Sequence, residues 1–211
     1  MLFVLTGNVQ TGKTRWLEEL VRDLENADVT TIGVLAPGVW ADRRDNPEAF
    51  PSCDANGFEK LGIDNVLLPD GERISFARRA DLAMRDEQLD PSSQSARAKL
   101  MWAIDDDAIA RVNDHFASLQ KQASSSSQTV PGMLIIDELG RLELERGEGL
   151  TEALGFLEAG PSPLARHALI VVREQLLPHV DKRFQLWGDT TLVRPCEESR
   201  ALILRTVAES S

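Results

Sequence analysis

Cysteine is scarce in this sequence, which has only two among its 211 residues. Cys53 and Cys196 lie far apart and have no cysteine or histidine near them at the spacing of a metal site. We therefore expect two free thiols in a reducing cytoplasm, and neither a disulfide nor a metal centre at these positions. The three histidines, His115, His167 and His179, lie in no recognisable nucleophile motif and are expected to be surface or structural groups.

A long apolar run is also absent from the sequence. No segment approaches the roughly 20 apolar residues that a membrane-spanning helix needs, so no membrane span is expected. Residues 1–6 are too short for an export signal, have no basic flank and lead directly into a glycine-rich segment. These absences, with the free thiols, predict a cytoplasmic protein.

Basic residues are outnumbered, because 23 Lys and Arg stand against 34 Asp and Glu and give a formal net charge of −11. Duplex nucleic acid and anionic membrane surfaces both attract clustered lysine and arginine, so neither is expected as a partner. An acidic protein that binds a nucleotide must concentrate its few cations at that site, with Mg²⁺ offsetting the remaining charge.

The glycine-rich segment carries the main chemical signal. Residues 7–14 read Gly-Asn-Val-Gln-Thr-Gly-Lys-Thr and fit the template G-x-x-x-x-G-K-[ST] at every fixed position. Glycine lets the backbone turn its N–H groups inward around a polyphosphate, and the following helix adds its N-terminal amides. The segment lies between the apolar run 2–5 and residues 15–24, which show helical spacing of apolar side chains. It is therefore predicted to bind the phosphates of a nucleoside triphosphate.

Each residue of this segment has an expected role. Lys13 would supply positive charge to the β- and γ-phosphates and is a candidate catalytic residue, while the Thr14 hydroxyl would ligate Mg²⁺. The predicted nucleotide-binding residues are Gly7, Asn8, Val9, Gln10, Thr11, Gly12, Lys13, Thr14, Arg15 and Arg194, the last of which follows the final predicted strand.

Apolar runs alternate with amphipathic segments along the chain, and its 42% hydrophobic content suffices for one α/β domain over residues 1–211. Strands are predicted at 2–5, 29–36, 133–136, 168–172 and 192–193, and helices at 15–24, 150–158 and 197–208, the last with Leu202, Ile203 and Val207 inside. This alternation indicates the three-layer α/β fold of P-loop nucleoside triphosphatases, with a mostly parallel sheet and helices on both faces. Ligands of such folds gather at the carboxyl ends of the strands.

Two stretches interrupt the alternation. Residues 41–80 are predicted to be a surface loop followed by a small antiparallel hairpin, which turns at 69–72 and extends the edge of the main sheet. Residues 81–132 are predicted to be a helical segment, with partial helix over 81–95 and a flexible serine-rich linker over 124–132.

Three consecutive aspartates, 105–107, precede a helical pattern within the second stretch. They are typical of an N-cap and first helical turn. A metal cluster is the alternative, although consecutive helical side chains point in different directions.

Two acidic residues follow the apolar run 133–136. Asp137 is predicted to hold Mg²⁺, and Glu138 to orient or deprotonate the attacking water. The alternative is that the pair only marks a strand end or a helix cap. Arg173, at the end of the run 168–172, is a candidate for stabilising the γ-phosphate, and a solvated or ion-paired arginine is the alternative.

Residues 134–144, Leu-Ile-Ile-Asp-Glu-Leu-Gly-Arg-Leu-Glu-Leu, resemble a signature of the small P-loop family called cancer-related nucleoside triphosphatases, which reads Asp-Glu-Ile-Gly-Lys-Met-Glu-Leu. The phosphate loop, the region around 57–58 and residues 169–180 are similar to that family in order and spacing. In place of the family's Thr-Pro-Glu-Val-Arg, however, residues 36–40 read Ala-Pro-Gly-Val-Trp and lose the acid and the arginine.

The resemblance implies a RecA-like or nucleotide-kinase-like core and Mg²⁺-dependent hydrolysis of nucleoside triphosphates with broad base tolerance. By position, Lys13 and Thr14 would bind phosphate and Mg²⁺, Asp137 would serve the metal, and Glu138 would be the base. Gly140 and Glu143 would complete the signature.

The sequence thus predicts a Mg²⁺-dependent nucleoside triphosphatase that hydrolyses the γ-phosphate of ATP- or GTP-type nucleotides. The oligomeric state is left open, with a monomer as the default. One alternative is a kinase that transfers the phosphoryl group to a nucleoside, nucleotide or other small acceptor bound by residues 41–79. Another is a nucleotide-binding regulatory module with negligible turnover.

Overall fold

The structure, a computed structural model, describes residues 1–7, 11–86, 90–126 and 131–209, and within these ranges nine strands form one sheet. The strands are β1 (Leu2–Leu5), β2 (Thr30–Leu35), β3 (Gly38–Asp42), β4 (Phe58–Leu68), β5 (Glu72–Arg79), β6 (Trp102–Ile104), β7 (Gly132–Leu139), β8 (His167–Val172) and β9 (Thr190–Val193). Their order across the sheet is β6-β5-β4-β2-β7-β8-β1-β9, and β3 pairs with the free part of β4.

Seven α-helices connect these strands in the described part of the chain: α1 (Lys13–Asn26), α2 (Ala80–Arg85), α3 (Gln94–Arg97), α4 (Asp106–Ser125), α5 (Thr151–Ala159), α6 (Val180–Arg183) and α7 (Glu197–Ala208). Short 3₁₀ turns lie at Pro47–Ala49, Glu174–His179 and Gln185–Trp187, and a π-helical turn lies at Leu142–Arg146.

The parallel half of the sheet consists of β2, β7, β8, β1 and β9. Alternate side chains of these strands enter two separate hydrophobic cores, so that in β1 Leu2 and Val4 face one core while Phe3 and Leu5 face the other. Helices α1 and α7 cover one face, and α4 and α5 cover the other. Strands buried on both faces need continuous apolar sequence, and each buried Leu or Phe contributes roughly 1.5–3 kcal/mol. The predicted three-layer fold is confirmed.

The antiparallel half extends one edge of the sheet. The predicted hairpin is β4 and β5, closed by a turn in which the Gly71 N–H donates to the Leu67 carbonyl at 2.7 Å. Two further strands, β3 and β6, pair with its outer parts. The extension is therefore larger than a single hairpin, and the predicted loop over 41–56 begins within β3.

Some local predictions need correction. The predicted serine-rich linker begins inside α4, because the hydroxyls of Ser124 and Ser125 donate to backbone carbonyls one turn earlier, at 2.9 and 3.0 Å. Residues 127–130 of that linker lie outside the described residues. In α7 the apolar face carries Ile203 and Val207, whereas Leu202 is 37% exposed because it lies about 100° away from Ile203 around the helix.

The predicted helix cap within residues 105–107 is confirmed. Asp105 caps α4, because its carboxylate accepts a hydrogen bond from the Asp107 N–H at 2.9 Å. The two cysteines are free thiols. Of the helices that the structure describes, none is long and apolar enough to cross a membrane.

Candidate nucleotide site

The phosphate-loop segment leads from β1 into α1. Gly12 has φ 78°, a left-handed conformation that glycine adopts without a Cβ clash, and its carbonyl accepts the Trp16 N–H at 2.9 Å. The Lys13 ammonium donates to the Gly7 carbonyl at 3.0 Å, so the lysine side chain reaches back to the first residue of the segment. Predicted loop residues Asn8, Val9 and Gln10 lie outside the described residues.

Helix α1 is anchored by one apolar face, as its spacing predicted. Its buried residues are Trp16, Leu17, Leu20, Val21 and Leu24. The indole N–H of Trp16 also donates to the Cys196 carbonyl at 3.0 Å, which ties the helix start to the segment after β9. The helix N-terminus is therefore fixed where it meets the loop.

The outer residues of the predicted site are exposed. Thr11 and Arg15 lie on the surface at the start of α1. Arg194 is exposed after β9, with its guanidinium 4.0 Å from the Glu174 carboxylate. The described contacts of Arg194 do not bring it together with the residues described next.

Asp137 lies near the end of β7 and is buried. One carboxylate oxygen accepts the Ala36 N–H at 2.9 Å, and the carboxylate is also hydrogen-bonded to the Thr14 side chain. Burial raises the pKa of Asp137 to about 6, while the hydrogen bonds from Ala36 and Thr14 oppose that rise. The Thr14 hydroxyl of α1 and the Asp137 carboxylate of β7 thus lie side by side.

This pair fits Mg²⁺ as the predicted ligands. Mg²⁺ prefers oxygen ligands and is held in nucleotide sites by one or two protein groups together with phosphate and water. Among the described residues, no group of three or more His, Cys, Asp or Glu side chains could hold a metal ion. Thr14 and Asp137 would therefore hold Mg²⁺ together with the phosphates of a nucleotide.

Glu138 has a strained backbone. Its φ is 76°, which is unusual for a residue with a Cβ, and the pairing of β7 with β8 shifts register between Ile136 and Leu139. Such a bulge redirects a side chain, and a left-handed conformation costs a non-glycine residue roughly 1–2 kcal/mol. The strain lies at the predicted catalytic base.

Arg173 directly follows β8 and forms an ion pair with Glu138. Its Nε and Nη2 lie 2.8 and 2.6 Å from the same oxygen, Oε1 of Glu138. The ion-paired alternative for Arg173 is thus the arrangement observed, and it brings two predicted catalytic residues into direct contact.

Glu143 supports the turn after β7. It is buried, and its two oxygens accept the N–H groups of Gly140 at 2.9 Å and Leu150 at 3.2 Å. Burial raises its pKa. The role observed for this signature residue is to hold the backbone that follows Asp137 and Glu138.

Two solved structures are similar to this chain over nearly its whole length. One is the solution structure of a human cancer-related nucleoside triphosphatase, with 18% identity and a TM-score of 0.58, covering 99% of this chain and 95% of that one. The other is THEP1 from the hyperthermophile Aquifex aeolicus, with 15% identity and a TM-score of 0.59, covering 98% and 96%. The chain has the P-loop nucleoside-triphosphatase fold. Neither protein-family models nor curated protein sequences give a match.

The position of Lys60 near the candidate site is not predicted by the sequence. Lys60 on β4 pairs with Trp40 of β3, and its ammonium lies 6.0 Å from the Trp40 ring and 5.1 Å from the Trp102 ring. Burial lowers the pKa of Lys60, and the charges of Glu138 and Asp137 partly restore it. A single lysine in a hairpin pattern gives no sequence signal, because its position depends on how the added strands pair.

Proposed function

We propose that the protein is a Mg²⁺-dependent nucleoside triphosphatase that hydrolyses the γ-phosphate of its substrate. One observation carries the proposal: the start of α1 meets the end of β7, where Thr14 bonds to Asp137 while the adjacent Glu138 contacts Arg173. In P-loop enzymes these positions hold the metal ion and the attacking water.

Lys13 supplies positive charge to the candidate site. Lys13 interacts electrostatically with Glu138, Asp137 and Arg173, and its pKa is lowered mainly by burial. A partly desolvated ammonium attracts phosphate strongly because little water screens it. In a chain of net charge −11, this places positive charge where a polyphosphate would bind.

The hydrolytic step follows from these positions. Backbone amides of the loop and Lys13 would bind the polyphosphate, and Thr14 and Asp137 would hold Mg²⁺, which neutralises phosphate charge. Glu138 would align a water molecule and accept its proton as the water oxygen bonds to the γ-phosphorus. The bond from that phosphorus to the bridging oxygen breaks, and the diphosphate departs with its electron pair. Arg173, on leaving Glu138, would bind the γ-phosphoryl oxygens.

The comparisons support the proposal at the level of the fold. The human protein of the first comparison is named a nucleoside triphosphatase. We extend that activity to this chain because its own residues supply a phosphate loop, a buried metal ligand and a neighbouring glutamate. A cytoplasmic location is part of the same proposal.

A phosphotransferase is the second candidate. Trp40 is 44% exposed on β3 and lies beside Lys60, whose charge interacts with Glu138, so an aromatic surface borders the site on the antiparallel side. Such a surface suits a small planar acceptor. In a kinase of this kind, phosphoryl transfer would depend on the acceptor.

Phosphate release from a panel of nucleoside triphosphates, with Mg²⁺ or with a chelator, tests the proposal. We expect Mg²⁺-dependent release by the wild-type protein and loss of nucleotide binding in Lys13→Ala. Glu138→Gln should still bind nucleotide but hydrolyse it about 100-fold more slowly, while Glu25→Gln, an exposed change on α1, should match the wild type.

Each contrary outcome has a meaning. Full hydrolysis by Glu138→Gln would show that Glu138 is not the catalytic base. Phosphorylated product formed only with a nucleoside or nucleotide acceptor would identify a kinase. Nucleotide binding without any phosphate release or phosphoryl transfer would identify the protein as a nucleotide-binding regulatory module.

A further inference from the structure

Lys60 is a half-buried cation without an ion-pair partner among the described residues. Its ammonium faces the rings of Trp40 and Trp102, which attract a cation weakly and replace part of its hydration. A charge that is partly removed from water, with no carboxylate of the described residues at ion-pair distance, is stabilised by a ligand of opposite sign. The surroundings of Lys60 thus favour an anionic ligand.

The side chain of Lys60 lies against Gly38, close in sequence to the residue whose N–H binds Asp137. A Cβ on Gly38 would lie 2.9 Å from Cε of Lys60 and 2.5 Å from Nε1 of Trp40, so only glycine leaves room for both side chains. Gly38 follows two residues after Ala36, whose N–H binds Asp137. The charges of Glu138 and Asp137 also act on the Lys60 ammonium, so this side chain borders the candidate site.

The order of the strands shows which part of a nucleotide Lys60 would meet. The phosphate loop follows β1, whereas Lys60 comes from β4, on the far side of β7 and β2. Lys13 and Lys60 thus approach Asp137 and Glu138 from opposite sides, and both lysines interact electrostatically with those carboxylates. A polyphosphate that begins at the loop would present its last phosphate to Lys60.

The charges of the site agree with this placement. Lys13, Lys60 and Arg173 carry three positive charges, and Asp137 and Glu138 carry two negative ones. This excess of positive charge, to which Mg²⁺ would add, favours a triphosphate, whose terminal group carries the most negative charge.

We propose that Lys60 binds the γ-phosphate of the nucleoside triphosphate, held in position by the rings of Trp40 and Trp102. This inference rests on the proposed function, since it names a further phosphate-binding residue of the same site. It assigns to the antiparallel extension the discrimination between triphosphate and diphosphate.

Calorimetric binding of two ligands tests it: a non-hydrolysable nucleoside triphosphate analogue and the corresponding diphosphate, each with Mg²⁺. In Lys60→Met the affinity for the triphosphate should fall about 10- to 100-fold, as for loss of a charged hydrogen bond, while that for the diphosphate stays within about threefold. Lys60→Arg should recover most of the triphosphate affinity. Lys121→Met, which removes an exposed lysine on α4, is the matched control and should match the wild type.

The outcomes separate this inference from the proposed function. Equal losses for both ligands, or no loss for either, would overturn the role of Lys60 while leaving the nucleotide site intact. A wild-type protein that binds neither ligand would overturn the proposed function itself, and this inference with it.

If thermal unfolding shows that Lys60→Met does not fold, two other variants test the role of Lys60. The preference for triphosphate must then persist in Lys60→Arg and decrease in Trp102→Leu. Any other pattern contradicts the inference.

Discussion

Arg173 and Glu138 meet through a single carboxylate oxygen, because Nε and Nη2 of the guanidinium lie 2.8 and 2.6 Å from Oε1. While these two hydrogen bonds are made, Oε1 of Glu138 is occupied by Arg173 and does not hold a water molecule. A γ-phosphate that attracts Arg173 would therefore also free the candidate base. In the proposed mechanism the ion pair would therefore couple the availability of Glu138 to the presence of the γ-phosphate.

Replacing Arg173 with glutamine tests this coupling. The substitution frees Glu138 but removes a positive charge near the γ-phosphate, so we expect kcat for phosphate release to fall about 10- to 100-fold, with diphosphate affinity little changed. In Arg173→Lys kcat should fall less, because lysine keeps the positive charge although it lacks the planar geometry of arginine. A glutamine variant as active as the wild type would show that Arg173 has no role beyond the ion pair.

The strained backbone of Glu138 gives a second prediction. At φ 76° glycine is favoured over alanine, so Glu138→Gly should have an unfolding free energy about 1 kcal/mol higher than that of Glu138→Ala. Both variants lose the carboxylate and should be equally inactive in phosphate release. Urea unfolding of this matched pair isolates the strain, and equal stabilities would show that the conformation of residue 138 costs nothing.

Glu143 provides a prediction about the support of the site. Glu143→Ala leaves the N–H groups of Gly140 and Leu150 without their acceptor, and we expect a loss of about 1–3 kcal/mol in unfolding free energy. Glu145→Ala is the matched control, because Glu145 lies on the same turn and among the described residues makes only an exposed ion pair with Arg141, worth less than about 1 kcal/mol. Urea unfolding measures both, and similar losses would contradict the structural role of Glu143.

The parallel half of the fold could be predicted from sequence because its information is local. Strands buried on both faces must be continuous apolar runs, which is why the sequence predicts β1, β7 and β8 and draws attention to the acidic pair Asp137 and Glu138 after the run 133–136. The buried face of α1 is predicted by the spacing of its apolar residues alone.

Features that depend on pairing between distant segments could not be predicted. The short strands β3 and β6 exist only because the β4–β5 hairpin offers them partners, and their pairing places Trp40 and Trp102 around Lys60. The bulge at Glu138 likewise arises from the register between β7 and β8. A propensity or a motif carries no information about such a register.

His167 provides the pH-dependent prediction. It lies in β8 and is 6% exposed, and neither ring nitrogen has a hydrogen-bond partner among the described residues. Burial disfavours the charged ring and lowers the pKa of His167 to about 4, with the charge of Arg166 adding to the effect. The folded protein therefore contains the neutral imidazole over most of the pH range in which an unfolded histidine, with a pKa of about 6.5, takes up a proton.

The sign follows from proton uptake. Between pH 6.5 and 4 the unfolded state binds more protons at this residue than the folded state, so its contribution to stability is full above pH 6.5 and decreases as the pH falls towards 4. Lowering the pH from 8 to 5 should cost the wild type about 1–2 kcal/mol more than it costs His167→Leu, in which this titration is absent. Urea unfolding at the two pH values measures the difference, with His179→Leu as an exposed control that should behave like the wild type. Equal pH dependence in wild type and His167→Leu would mean that His167 titrates in the folded protein as it does in the unfolded chain.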